Sequence, residues 1–126
     1  MKTLSAILEA YVALISHELF MSNHNLAGLY HHIKTFPSRE EKASLTATSS
    51  VCHALEVACA FYPKRTLCLQ RSATLVKLLR RRGVDAHMMI GAQKLPFKAH
   101  AWVEADGVIV NDRLAVRENF LVLEVC

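Results

Sequence analysis

The sequence predicts an α+β fold in which one helix packs on a small antiparallel sheet. Apolar residues recur at helical spacing as far as Arg82, and beyond Gly83 they fall into short runs typical of strands. Helices followed by a series of strands are the element order of this class. With 126 residues and 52% hydrophobic content, the chain is predicted to form one domain (residues 1–126) that needs no disulfide or metal cross-link. Its helical part covers residues 1–62, and a part made of one helix and the sheet covers residues 63–126.

The first half is predicted to contain three helices. They cover residues 3 to about 21, 26–34 and 48–61. Leu8, Ile15 and Leu19 repeat at helical spacing in the first of them. Pro37 closes the second, since the residue before a proline avoids helical geometry, and Asn23–Asn25 separates the two. Residues 38–41, Ser-Arg-Glu-Glu, indicate a further helix start.

A fourth helix over residues 67–82 carries the clearest pattern. Leu69, Ala73 and Val76 lie on one stripe, and Gly83 suits the position just beyond a helix end. Thr66 is the predicted N-cap, which places Cys68 in the first turn. The three arginines at 80–82 complement the carbonyl end of the helix dipole, and this interpretation is favoured over a nucleic-acid patch.

Four strands are predicted after Gly83, at residues 86–90, 99–104, 108–111 and 119–125. A two-residue turn at Asp106 and Gly107 would place His100 and Asp112 on opposite faces of the hairpin, because side chains alternate along a strand. A three-residue loop at 105–107 would pair Glu104 with Val108 and His100 with Asp112 on one face. We predict the three-residue loop, with Gly107 as its left-handed residue.

Cys68, His100 and Asp112 form the candidate catalytic set. A helix N-terminus and a nearby imidazolium both favour the reactive thiolate of a cysteine, and the amides of the helix start can hold an oxyanion. Asp112 would orient the His100 ring. Each residue taken singly has a structural explanation: a buried cysteine, a bonded strand histidine, and an aspartate that ends a strand.

Composition excludes several other classes of protein. The net charge is +4 and the pI about 9.0, yet the basic residues are not interleaved with aromatic ones, as a single-strand nucleic-acid platform requires. Cysteines at 52, 59, 68 and 126 form no C-x-x-C pair, and we expect reduced thiols in a cytoplasmic protein. The apolar stretch from Leu4 to Ile15 is too short and too polar to span a membrane. His17, His24 and His31 recur every seven residues, but no other ligand joins them, so we expect no metal site.

Three segments resemble a known family. Residues 68–72 read Cys-Leu-Gln-Arg-Ser, residues 78–84 read Leu-Leu-Arg-Arg-Arg-Gly-Val, and residues 96–104 read Pro-Phe-Lys-Ala-His-Ala-Trp-Val-Glu. Together they resemble the lasso peptide leader peptidases, small transglutaminase-like cysteine proteases of bacterial lasso peptide biosynthesis. The resemblance is dense over the last half of the chain. It implies a transglutaminase-like, papain-like fold with Cys68 as nucleophile, His100 as base and Asp112 as acid.

The same resemblance implies the substrate and the partners. The enzyme would cut the leader from a ribosomally made precursor peptide, without a cofactor, beside a separate PqqD-like leader-binding protein and an asparagine-synthetase-like cyclase. Arg71 is either a salt-bridged structural residue, which we favour, or a substrate contact. Trp102 is on the same face of the strand as His100. Its side chain either lines the active site or packs between the sheet and a helix. Acyl transfer, deamidation and a non-catalytic docking role remain alternatives.

Overall fold

A computed structural model describes residues 2–22, 26–38, 45–63, 67–94, 97–111 and 116–126. Within these ranges the chain forms five helices and four strands. In chain order they are α1 (Lys2–Ser22), α2 (Leu26–Thr35), α3 (Leu45–Phe61), α4 (Cys68–Arg81), β1 (Ala86–Lys94), β2 (Phe97–Ala105), β3 (Val108–Ile109), α5 (Val116–Asn119) and β4 (Leu121–Val125). The predicted order of helices first and strands second is confirmed.

The strands form one antiparallel sheet in the order β3-β2-β1-β4. Its centre is the long β1–β2 pair, whose register runs from Ala86 opposite Ala105 to Lys94 opposite Phe97. Helix α4 packs on both central strands, and α1 and α3 pack on α4. The fold is therefore α+β, with the patterned helix against the sheet as predicted.

Strand alternation divides the sheet into two faces. Met88 of β1 and Val103 of β2 are fully buried in the main core together with Leu75 and Leu79 of α4. Met89 and Trp102 belong to a second, smaller cluster, which also contains Val116 of α5 and the half-buried Phe120. Because neighbouring side chains point to opposite faces, this second cluster lies on the face of the sheet that turns away from α4.

A buried polar contact joins α1 to α4. The Nδ1 atom of His17 lies 2.8 Å from the hydroxyl oxygen of Thr74, and both residues are fully buried. Burial lowers the pKa of His17 to about 3, and the positive charge of Lys77 adds to the effect, so the ring is neutral at pH 7. Of the helices that the structure describes, none combines the length and the apolarity needed to cross a membrane.

Helix α4 ends as its sequence predicts. Gly83 has a φ of 78°, its amide donates to the carbonyl of Arg80, and the amide of Val84 donates to that of Leu79. These two bonds form a Schellman motif, which requires a left-handed residue at the position that Gly83 occupies. The opposite end differs from the prediction: the N-cap is Leu67 and not Thr66, and it makes no side-chain cap.

Several element boundaries also differ. Strand β1 extends to Lys94, beyond the predicted end at residue 90, because it stays paired with β2 along its whole length. The third strand is shorter than predicted, and Asn119 belongs to α5, so the last strand begins at Leu121. Ser38 is not helical, whereas the rest of that predicted helix start and Asn23–Asn25 lie outside the described residues.

The hairpin between β2 and β3 contradicts the predicted three-residue loop. Ala105 pairs with Val108 and Glu104 with Ile109, so only Asp106 and Gly107 form the turn. Their φ values are 51° and 82°. Positive φ at both central residues is the type I′ turn, whose twist matches that of the strands and which Asp-Gly favours. The predicted three-residue loop and the predicted pairing of Glu104 with Val108 are therefore wrong, whereas Asp112, the predicted partner of His100, lies outside the described residues.

Candidate active site

The thiol of Cys68 is exposed at the first residue of α4. The amide of Arg71 donates to the carbonyl of Leu67 at 3.0 Å, which is the first hydrogen bond of the helix. The amides of Cys68, Leu69 and Gln70 precede that bond and so have no acceptor within the helix. Since Leu67 provides no side-chain cap either, these amides at the helix start that carries the thiol are candidates to hold a developing oxyanion.

The other three cysteines have less accessible thiols. Cys52 and Cys59 are half-buried, and Cys126 is buried. Burial raises the pKa of both Cys52 and Cys126, and the charge of Glu56 raises that of Cys52 further. A raised pKa leaves less thiolate at neutral pH, so neither of these two thiols is suited to act as a nucleophile.

His100 lies at the end of the sheet that is nearest the start of α4. The short connection from α4 to β1 makes the two run in opposite directions, and β2 runs back along β1. The first turn of α4 and the first residues of β2 are thus at the same end of the helix–sheet layer. His100 is the fourth residue of β2 and lies opposite Gly91.

Aromatic rings hold the His100 imidazole. Its centroid lies 6.1 Å from that of Trp102, in a stacked arrangement, and 5.4 Å from that of Phe120. Trp102 is fully buried and donates its indole N–H to the Glu104 carboxylate at 3.1 Å. Trp102 does share the face of His100, as alternation predicts, and that face is the one away from α4. The indole therefore supports the imidazole and does not pack between sheet and α4.

Gly91 leaves the space that these rings occupy. A Cβ atom at this position would lie 2.9 Å from Cζ3 of Trp102 and 2.9 Å from Cβ of Phe120. Contacts that short force one of the two aromatic residues to move. Because the imidazole of His100 lies against both rings, a side chain at residue 91 would change the position of the imidazole as well.

We therefore expect Gly91→Ala to lower activity as well as stability. Overpacking of this kind costs about 1–3 kcal/mol. Gly107→Ala is the matched control, because nothing lies within 4 Å of its Cβ and only its φ of +82° is strained, at about 1–2 kcal/mol. Thermal unfolding and a peptide cleavage assay should show similar stability losses, with activity reduced in Gly91→Ala alone. Equal activity of the two variants would contradict this role of Gly91.

Asn111 connects the end of the hairpin to α4. Its Oδ1 atom accepts the amide N–H of Val103 at 2.7 Å, and its Nδ2 atom donates to the hydroxyl of Ser72 at 3.2 Å. Ser72 is four residues after Cys68, on the same side of α4. Sequence reasoning missed Asn111, although an asparagine where a strand ends is a common side-chain partner for backbone groups. Asp112, the next residue and the predicted acid, lies outside the described residues.

A pocket of about 180 Å³ opens beside Asn111 and the first turns of α4. It is lined by Cys52, Leu55, Glu56, Arg71, Leu75, Val110 and Asn111. Arg71 and Leu75 are three and seven residues after Cys68, which puts the pocket on the side of the helix that carries the thiol. Arg71 is exposed, so its guanidinium is accessible to a bound molecule.

The described residues contain no cluster of three or more His, Cys, Asp or Glu side chains that could hold a metal ion. Of the three histidines spaced by seven, His17 is buried against Thr74, His31 is exposed, and His24 lies outside the described residues. No metal site can therefore be assigned within the described part of the chain.

Comparison with known proteins places this architecture in a family. Residues 12–125 match the model of the transglutaminase-like superfamily. The microcin J25-processing protein McjB of Escherichia coli is 39% identical over 56 residues, which are 44% of this chain and 27% of that protein. The match thus spans about a quarter of the relative's length, and no solved structure matches. Because the family model covers nearly the whole chain, the protein belongs to the transglutaminase-like superfamily.

Proposed function

We propose that the protein is a cysteine peptidase that removes the leader from a ribosomally made lasso precursor peptide. The observation that carries the proposal is the exposed Cys68 thiol at a helix start without a side-chain cap. His100 lies toward the same end of the sheet but on the face away from α4, so the proposal requires the imidazole to reach the thiol around the end of the sheet. The similarity to a microcin J25-processing protein supports the choice of substrate class. The resemblance of residues 68–72 and 96–104 to leader peptidases agrees with this choice.

The chemistry would proceed through an acyl-enzyme. The Cys68 thiolate attacks the carbonyl carbon of the last leader residue, and the oxyanion is held by the open amides of the α4 start. The C–N bond then breaks, and the His100 imidazolium gives its proton to the departing amine of the core peptide. A water molecule, deprotonated by His100, hydrolyses the thioester and frees the leader carboxylate. We assign the orientation of the His100 ring to Asp112 on the family resemblance.

The pocket beside the first turns of α4 is our candidate for a leader side chain. Its volume of about 180 Å³ suits one small or medium side chain, and its position on the Cys68 side of the helix suits a residue next to the cleaved bond. Arg71 and Asn111 are the polar groups that would contact this part of the peptide. Trp102 is fully buried, so we assign it to positioning His100 and not to binding substrate.

The proposed partners are the precursor peptide, a leader-binding protein and a cyclase that uses the freed amine. A leader-binding partner would raise the effective concentration of the peptide at Cys68. All four cysteines are free, which supports a reducing compartment, and we propose the cytoplasm.

Mass spectrometry of a lasso precursor peptide incubated with the protein and its leader-binding partner tests the proposal. We expect two products, a leader with a free carboxylate and a core with a free amine. The Cys68→Ala variant should give neither. Amine-linked or deamidated peptide in place of these products would show acyl transfer or deamidation instead. Cleavage that persists in Cys68→Ala would contradict a cysteine peptidase.

A further inference from the structure

The outer face of α1 is apolar and exposed. Its aliphatic side chains are between 44% and 66% exposed: Leu4, Leu8, Val12, Ile15 and Leu19. The inner face is apolar as well, since Ala10 and Leu14 are fully buried in the core. Apolar side chains thus occupy two faces of α1, and a large exposed apolar face normally marks a contact surface. The described part of the chain covers only the inner face of α1.

The spacing of the exposed residues indicates what covers them. Leu8, Val12, Ile15 and Leu19 follow one another at intervals of four, three and four residues. These intervals are the heptad spacing with which one helix packs along another. They make a narrow seam, whereas helices that lie on a membrane surface present a broad apolar face opposite a strongly polar one. The seam therefore fits a helix better than it fits a lipid surface.

A groove of about 410 Å³ runs beside the seam, between α1 and the last turns of α4. Leu8, Glu9 and Val12 are among the α1 residues that line one side of it, and Lys77 and Arg81 of α4 line the other. Glu9 forms an ion pair with Arg81, so the carboxylate and one of the two cations in the groove already neutralise each other. Lys77 is only 6% exposed, and its ammonium lies 5.3 Å from the centroid of the Phe36 ring. Burial lowers the pKa of Lys77, and the charge of Arg81 lowers it further.

The Lys77 charge is not balanced within the described ranges, where no carboxylate forms an ion pair with its ammonium. A buried charge without a counter-ion is costly, so an arriving carboxylate would gain a strong partner there. The groove thus offers apolar side chains and one ammonium group without a counter-ion among the described residues to the same ligand. A flat lipid surface could not bring its phosphates to a lysine so deeply placed.

We propose that this seam and groove bind a helix of another protein, with apolar residues at heptad spacing and Asp or Glu along the edge that faces Lys77. A second copy of α1 does not have this chemistry. Its acidic residues are Glu9 and Glu18. Glu9 is bound to Arg81 and Arg82, and Glu18 accepts a hydrogen bond from the Tyr62 hydroxyl, so neither is available to a partner's lysine.

Two labelled synthetic peptides test the proposal. Both are helices of about three heptads with the same leucine seam. One carries glutamates along the flanking edge, and its twin carries lysines there. Fluorescence anisotropy with the full chain should show that the glutamate peptide binds about tenfold tighter or more, a difference that falls as salt is added. Similar affinities of the two peptides, or no binding of either, would overturn the proposal.

Variants of two exposed residues of the seam and of the buried Lys77 locate the binding surface. We expect the Leu8→Ser, Val12→Ser double variant to lose about tenfold or more in affinity for the glutamate peptide. Lys77→Met, which removes the charge and retains apolar bulk, should abolish the preference for glutamate. Leu123→Ser is the matched control, because this leucine is equally exposed but belongs to β4. The affinity of this variant for the glutamate peptide should equal that of the unmodified protein.

Two further measurements separate the other possible occupants of the seam. Sedimentation equilibrium would show a dimer if a second copy bound there, and co-sedimentation with vesicles of mixed neutral and anionic lipid would show membrane binding. The assignment to an acidic helix would be overturned by a dimer, or by binding to vesicles, that is lost in the Leu8→Ser, Val12→Ser double variant. We expect a monomer that stays in the supernatant.

Discussion

Replacing Cys68 with alanine is expected to reduce cleavage by roughly 10⁴-fold or more, and replacing His100 with glutamine by about 10²–10⁴-fold. The double variant should be no slower than Cys68→Ala alone. In the proposed mechanism the imidazole acts on the thiol, on the amine that leaves as the thioester forms, and on the water that hydrolyses the thioester, and each of these steps needs the thiol. Its removal therefore has nothing left to affect once the nucleophile is gone, and such losses are not additive.

His87→Gln is the matched control for His100→Gln. His87 lies on the neighbouring strand β1, its side chain is about half exposed, and its Nε2 atom lies 3.1 Å from Oδ1 of Asp85. Cleavage by this variant should equal that of the unmodified protein. The rate at which iodoacetamide alkylates Cys68 at neutral pH, measured by mass spectrometry, should be lower in His100→Gln and unchanged in His87→Gln. Unchanged cleavage by His100→Gln would remove this histidine from the mechanism.

Local pattern was sufficient to predict the helices and the position of the thiol. The stripe of Leu69, Ala73 and Val76 and the stop at Gly83 placed α4 to within a residue at each end, and so placed Cys68 in its first turn. Both signals are local, since a helix repeats every few residues and ends where a left-handed residue is required. The order of elements then led to the correct fold class.

The hairpin was predicted wrongly because two turns compete within one short segment. Asp106 and Gly107 satisfy a type I′ turn by themselves, with φ values of 51° and 82°. The three-residue loop pairs His100 with Asp112, whereas the Asp-Gly sequence by itself favours the two-residue turn. The local preference of Asp-Gly is the stronger of the two signals. Beyond Val110 the ladder is altered by Asn111, whose side chain takes the amide of Val103. The pairing register of β2 and β3 therefore does not by itself predict to which face of the sheet the side chains after Asn111 point.

Long-range partners could not be read from the sequence at all. Arg80 was predicted to act with its two neighbours on the helix dipole, yet the three arginines have different roles. Arg81 and Arg82 bind Glu9 of α1, whereas Arg80 is buried. Its guanidinium donates to main-chain carbonyls of other elements, as far as 47 residues away in the chain. The helical or strand periodicity of a sequence gives no information on a contact between one side chain and a distant main-chain carbonyl.

Replacing Arg80 with methionine is expected to lower the free energy of unfolding by about 3–5 kcal/mol. Arg80 donates through Nε to the carbonyl of Ala86 at 2.9 Å and through Nη2 to that of Cys126 at 3.0 Å. Its Nη1 atom donates to the carbonyls of Ile33 and Phe36. One guanidinium thus joins α4 to the end of α2, to the start of β1 and to the residue after β4. Methionine would remove all four of these hydrogen bonds, and a bond to a charged donor contributes about 1.5–3 kcal/mol. The carbonyls of Ile33 and Cys126 keep the amide N–H groups of Phe36 and Met88 as donors, which limits the loss.

Chemical denaturation followed by circular dichroism measures this loss, and the midpoint of thermal unfolding should fall by roughly 10–20 °C. Arg81→Met is the control, since its side chain is 42% exposed and its ion pair with Glu9 should contribute less than about 1 kcal/mol. Arg80→Lys should lose nearly as much as Arg80→Met, because an ammonium group cannot reproduce the planar fork that reaches carbonyls on three sides. If Arg80→Lys were as stable as the unmodified protein, the positive charge and not the fork would hold these elements together.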